Sequence, residues 1–107
     1  TSTRLDDELF AVKASGSSLQ NLDESGVARC KIADVLALFE RENISDEEIE
    51  EALLAARAFE SDRKPSTEAL FHAYLLTLPD VNFVGHTHPI ACNSILSSSR
   101  ALDFATK

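Results

Sequence analysis

The run Val81-Asn82-Phe83-Val84-Gly85-His86-Thr87-His88-Pro89 constrains this chain more than any other stretch. Its β-branched and aromatic residues read as a strand, and Pro89, which has no N–H to give a ladder, ends it. A strand turns every second residue to the same side, so His86 and His88 are expected to face together, with Thr87 opposite. Two imidazoles over one patch can converge on one ion, which is half of a metal site. Two solvated or packed histidines at a strand end would give the same triplet, so the metal reading depends on what the rest of the chain brings to it.

The preceding residues predict strands and helices in alternation. Leu9–Lys13 is a short β run after the acidic turn Asp6-Asp7-Glu8, closed by the small-residue loop Ala14-Ser15-Gly16-Ser17-Ser18. Such a loop can take a ligand, since glycine admits an anion to the backbone and serine adds a donor, and it can equally be a plain turn. Ala28, Cys30 and Ile32 alternate with Arg29 and Lys31 as in a half-buried strand, and a helix is expected over 33–42 with Val35, Leu36, Leu38 and Phe39 inward. Ser45 and Glu48 form a capping box flanked by Ile44 and Ile49 in staple positions, which starts a helix running to about Phe59. Its acidic first turn complements the helix dipole and is structural. The segment 60–65 breaks it, and a further helix begins near Ser66 or Thr67, carrying Leu70, Phe71, Tyr74, Leu75 and Leu78 into the core. Pro79-Asp80 turns the chain into the histidine strand. Residues 90–97 have helical apolar spacing, Ser97-Ser98-Ser99 is a break, and the last eight residues carry no signal.

Composition narrows the classes. A chain of 107 residues suits one domain, and its 44% hydrophobic and 26% charged residues are ordinary for a globular protein. No apolar run approaches the ~18 residues of a membrane span, and no stretch of these residues reads as a signal peptide. A net charge of -8 argues against a nucleic-acid surface but leaves room for a locally positive pocket. Cys30 and Cys92 lack metal or redox spacing, so both are expected as small core residues of a protein in the reducing cytosol. The absence of Met before Thr1 and of a closing element before Lys107 suggests a fragment.

Glu68 lies where the third helix starts, beside Ser66 and Thr67. Free N–H groups and hydroxyls at such a start can hold a phosphate, and Glu68 can accept a proton there if burial raises its pKa toward neutrality. Taken alone, Glu68 equally serves the helix dipole. His72, one turn on, is expected to be packed or hydrogen-bonded and stands outside the metal set.

Taken together, the Ser15-Gly16 loop, Lys64-Pro65-Ser66-Thr67-Glu68, His72, Pro79-Asp80-Val81-Asn82 and His86-Thr87-His88 resemble the class II aldolase/adducin family, of the fuculose- and rhamnulose-phosphate aldolase type, over roughly residues 1–97. The resemblance implies one layered α/β/α domain over 1–107, incomplete at both ends, with a central, mostly antiparallel sheet containing strands 9–13, 28–32 and 81–88. It implies that His86 and His88 bind Zn²⁺ or another divalent ion with a later third histidine, which this sequence lacks. It makes Glu68 the catalytic acid/base and Ser15, Gly16, Ser66 and Thr67 the phosphate contacts. A Gly-Asn phosphate segment of the family would precede Thr1, and Thr67 replaces a serine. The implied activity is a cytoplasmic, homotetrameric lyase that cleaves a ketose phosphate through a metal-stabilised enediolate. Epimerisation, decarboxylation and dehydration share that intermediate, and an adducin-like assembly domain without catalysis is the competing reading.

Overall fold

The computed structural model describes residues 1–106. Strand β2 (Leu9–Lys13) pairs antiparallel with β3 (Val27–Lys31), Phe10 standing opposite Cys30 and Val12 opposite Ala28. These four side chains are all buried on one face, as alternation requires. The sheet has two further members. β1 (Ser2–Arg4) joins the other side of β2 through a turn in which Asp6 Oδ1 accepts the N–H groups of Glu8 and Leu9, at 2.8 and 2.7 Å. β4 (Phe83–Val84) pairs with β1, so the order is β3-β2-β1-β4 and every pairing is antiparallel.

Helices α1 (Ile32–Leu36), α2 (Asp46–Ala55) and α3 (Ala69–Leu75) pack over the buried face. Val35, Leu38, Leu53, Ala69, Ala73, Leu76 and Val84 complete the core with the strand residues. The fold is therefore α/β around an antiparallel sheet, as the resemblance implied. No helix among the described residues is long and apolar enough to cross a membrane.

Several sequence expectations shift in detail. The strand expected at 28–32 ends at Lys31, and Ile32 opens α1, which tightens into a 3₁₀ turn at Ala37–Glu40 instead of running to 42. Val35 and Leu38 are buried and Leu36 half-buried, whereas Phe39 is exposed. The capping box of α2 is present in both directions, with Ser45 N–H donating to Glu48 Oε2 at 2.8 Å and Glu48 N–H to Ser45 Oγ at 3.2 Å. α2 stops at Ala55 rather than near Phe59 because the following residues bond to the outer edge of β3. Lys31 N–H donates to Ala56 O at 2.9 Å and Ala58 N–H to Arg29 O at 2.8 Å. An otherwise bare strand edge is thereby covered.

α3 presents a different face from the expected one. Ala69, His72, Ala73 and Leu76, spaced i, i+3, i+4, i+7, are buried, while Phe71, Tyr74 and Leu78 are exposed and Leu70 and Leu75 half-buried. The small alanines let α3 lie close on β2. Asp80, in the left-handed region at φ 63, then reverses the chain into β4. α4 (Ile90–Leu96) and α5 (Ala101–Ala105) follow; α4 buries no residue, and α5 formed where no signal was read. Cys30 is buried as expected, but Cys92 is exposed on α4.

Candidate metal centre

Glu68 is the N-cap of α3, one residue before the expected first turn. It is positioned from below by Ser66, whose Oγ accepts the Glu68 N–H at 3.3 Å, and Ala69 N–H closes the turn on Ser66 O at 2.9 Å. The strand expected through His88 lasts only through Val84, so Gly85–Pro89 is irregular. β1 ends the pairing there, because Ser2 is the last partner and faces Val84. The two histidines nonetheless come together, with ring centroids 4.5 Å apart.

Both rings reach the same carboxylate. His86 Nδ1 lies 3.2 Å from Glu68 Oε2, and His88 Nε2 lies 3.4 Å from Glu68 Oε1. Burial pushes the Glu68 carboxyl upward in pKa, but the nearby His86 and His88 and the more distant Lys13 outweigh it, so the net shift is downward. This corrects the expectation of a carboxyl raised toward neutrality. Glu68 is an anion ready to accept a proton or to ligate.

His72, which sequence reasoning left outside the set, is the third imidazole in the cluster. It is fully buried, its Nδ1 is 2.7 Å from Ser2 Oγ, and its Nε2 has no hydrogen-bond partner. Donor atoms of Glu68, His72 and His86 all lie within 4.8 Å of one another. Burial drives the His72 pKa down to about 4, so the ring stays neutral and keeps a nitrogen lone pair. The missed signal was the Ala69, His72, Ala73, Leu76 register, which carries His72 inward one turn after Glu68.

The donor chemistry fits a borderline divalent ion such as zinc, which takes imidazole nitrogen and carboxylate oxygen. An unpartnered, buried, neutral imidazole nitrogen beside an ionised carboxylate is costly unless something sits between them. The cluster Glu68, His72 and His86 is thus a three-residue candidate metal site, with His88 at its exposed rim.

The residues expected to hold phosphate sit on two loops joined side by side. Ala14 and Pro65 form a bridge, Ser15 N–H donates to Lys64 O at 2.8 Å and Ser66 N–H to Lys13 O at 3.1 Å. Ser15, Gly16 and Thr67 are exposed and Ser66 is half-buried. The second of these loops leads directly into Glu68.

The α/β domain thus gathers a glutamate and three histidines around the start of one helix. The chain belongs to the family described as Class II Aldolase and Adducin N-terminal domain, whose profile matches residues 1–104. It is 32% identical over 98 residues to "Uncharacterized oxidoreductase YuxG" of Bacillus subtilis, covering 92% of this chain and 14% of that protein. It also resembles the solved N-terminal class II aldolase domain of a conserved protein from Thermoplasma acidophilum, with a TM-score of 0.75 and 31% identity over 90% of this chain and 43% of the other. The chain therefore spans about one seventh of the first relative's length and somewhat less than half of the second's.

Proposed function

We propose that this domain carries the metal and proton-transfer site of a lyase of the class II aldolase type, acting on a ketose phosphate. The observation that supports this reading best is Glu68 standing between His86 and His88 at 3.2 and 3.4 Å. We place the ion on His86 and His88 rather than on the Glu68, His72 and His86 grouping, which leaves the Glu68 carboxylate free for proton transfer. A bound divalent ion would supply Lewis acidity, lowering the cost of the negative charge that carbon–carbon cleavage leaves on the substrate oxygens.

The chain's own residues do the remaining work. Glu68, held ionised, accepts the proton of the substrate hydroxyl or returns one to carbon, depending on direction. Ser2 Oγ, 2.7 Å from His72 Nδ1, restrains the buried ring beside Glu68. Ser15, Gly16, Ser66 and Thr67 bind the phosphate on the two bridged loops and place the sugar carbons next to Glu68. We further propose cytoplasmic residence, on the two free thiols Cys30 and Cys92, and a homo-oligomer, most simply a tetramer.

Two variants in the full chain test this. Glu68→Gln is expected to lower turnover of a ketose 1-phosphate ~10²–10⁴-fold while leaving metal content nearly unchanged. His86→Ala/His88→Ala is expected to strip the metal, read by elemental analysis. Full metal content in the double variant would sink the metal assignment, and normal turnover in Glu68→Gln would sink the catalytic one.

A further inference from the structure

Arg63 has no part in the site as derived so far, yet it grips the loop on which phosphate binding was placed. Its Nη1 donates to Ser17 Oγ at 3.1 Å and its Nη2 to Ser15 O at 3.0 Å, one guanidinium spanning both sides of Gly16. Gly16 has φ +75, and a Cβ built there would lie 3.6 Å from Arg63 Nη2. From beneath, Lys13 Nζ donates to Ser17 O at 2.9 Å and Ala14 O at 3.4 Å. Two cations therefore hold a five-residue loop around a left-handed glycine; the Ser15 and Ser17 N–H groups are bonded to Lys64 O and Ala14 O, and the Gly16 N–H is left over.

Neither Lys13 nor Arg63 is held in an ion pair among the described residues, whereas Lys64 pairs with Glu50 at 2.9 Å. Likewise the Gly16 N–H and the Ser15 and Thr67 hydroxyls make no hydrogen bond among the described residues. In a chain of net charge -8, two cations without an ion-pair partner stand beside these idle donors, and Lys13 acts on the Glu68 carboxylate only through space.

We propose that Arg63 is a positioning residue that shapes the Ser15–Ser17 loop and, with Lys13, makes it selective for a dianionic phosphate over a neutral hydroxyl. The proposal rests on the sugar-phosphate reading above. Arg63 does not itself touch the phosphate. Its planar fork fixes two acceptors at once, which a lysine cannot do, and its charge raises the local attraction for a dianion.

The test uses the full chain as wild type, Arg63→Gln and Arg63→Lys, with inorganic phosphate as the calorimetric probe and a ketose tested with and without its phosphate. Arg63→Gln is expected to weaken phosphate binding about 10- to 100-fold, as the loss of charge-assisted bonds does elsewhere. It should raise KM for the phosphorylated ketose by a similar factor and leave kcat, metal content and KM for the free sugar alone. Arg63→Lys, keeping charge without the fork, should recover part of the affinity. Full recovery in Arg63→Lys would show that charge alone acts and would overturn the positioning role. So would unchanged phosphate binding in Arg63→Gln, or a loss that falls equally on metal content and on the free sugar. A wild type that does not distinguish the phosphorylated from the free sugar would overturn the sugar-phosphate reading along with this one.

Discussion

His72 shows how a single residue can couple the core to the site. Its ring is fully buried, tied to β1 through Ser2, and lies with its centroid 5.6 Å from that of His86, in the same cluster as Glu68. Burial holds its pKa at about 4 in the fold, against the ordinary 6.5 of the unfolded chain. The native state therefore binds fewer protons than the unfolded state between those values. Stability contributed by this group is complete above pH 6.5 and is lost as pH falls toward 4. In protein stripped with a chelator, urea unfolding at pH 7, 6 and 5 should show that fall, with a limiting slope of about 1.4 kcal/mol per pH unit. His72→Gln should flatten it, and an equal slope in the variant would mean that other groups carry the effect. The cysteines give a second prediction. Burial pushes the Cys30 thiol up to about 12, whereas Cys92 is exposed. A thiol reagent at neutral pH should label one cysteine quickly, Cys92 by peptide mapping, and reach Cys30 only as the chain unfolds.

Helix starts and strand alternation were the elements most legible in the sequence, because both are decided by neighbours. The Ser45–Glu48 box formed as read, and Ser45→Ala should lower stability by about 1 kcal/mol, seen as a lower Tm with an unchanged fold by circular dichroism. Phe10, Val12, Ala28 and Cys30 point inward as their alternation required. What misled was size. Phe71 and Tyr74 looked like the core face of α3, but two alanines and a histidine hold it, because close approach to β2 favours small side chains over large ones. Ala73→Leu should therefore cost about 1–3 kcal/mol by overpacking, while Tyr74→Ser should cost little, and the reverse ranking in thermal unfolding would contradict the observed register. The histidine strand was overextended for a related reason. β-propensity in Val81–Val84 was real, but a strand lasts only as long as its partner, and β1 offers β4 just two positions. Partner length is a long-range property that no local pattern encodes. The end of α2 and the formation of β1 were missed on the same ground.

At the scale of the whole molecule, apolar surface remains that the fold does not use. Phe83 on β4 is 77% exposed, Ile90 85%, Leu96 63% and Leu102 76%, and α4 packs chiefly on α5 rather than on the sheet. Phe83 precedes and Ile90, Leu96 and Leu102 follow the His86–His88 segment in the chain, and among the described residues β4 is an edge strand with its outer side unpaired. Apolar surface on this scale beside an open strand edge favours association. The 107-residue chain is thus expected to self-associate, with an apparent mass in light scattering that rises with concentration and falls in 1 M urea before the core unfolds. Ile90→Ser combined with Leu102→Ser should shift the chain toward monomer without lowering Tm by more than a few degrees, since neither side chain contributes to the core. Phe83→Ser should act separately, through the sheet edge. A monomer that persists at every concentration would show that this surface is tolerated in water, and would remove the physical argument for a homo-oligomer built on this face.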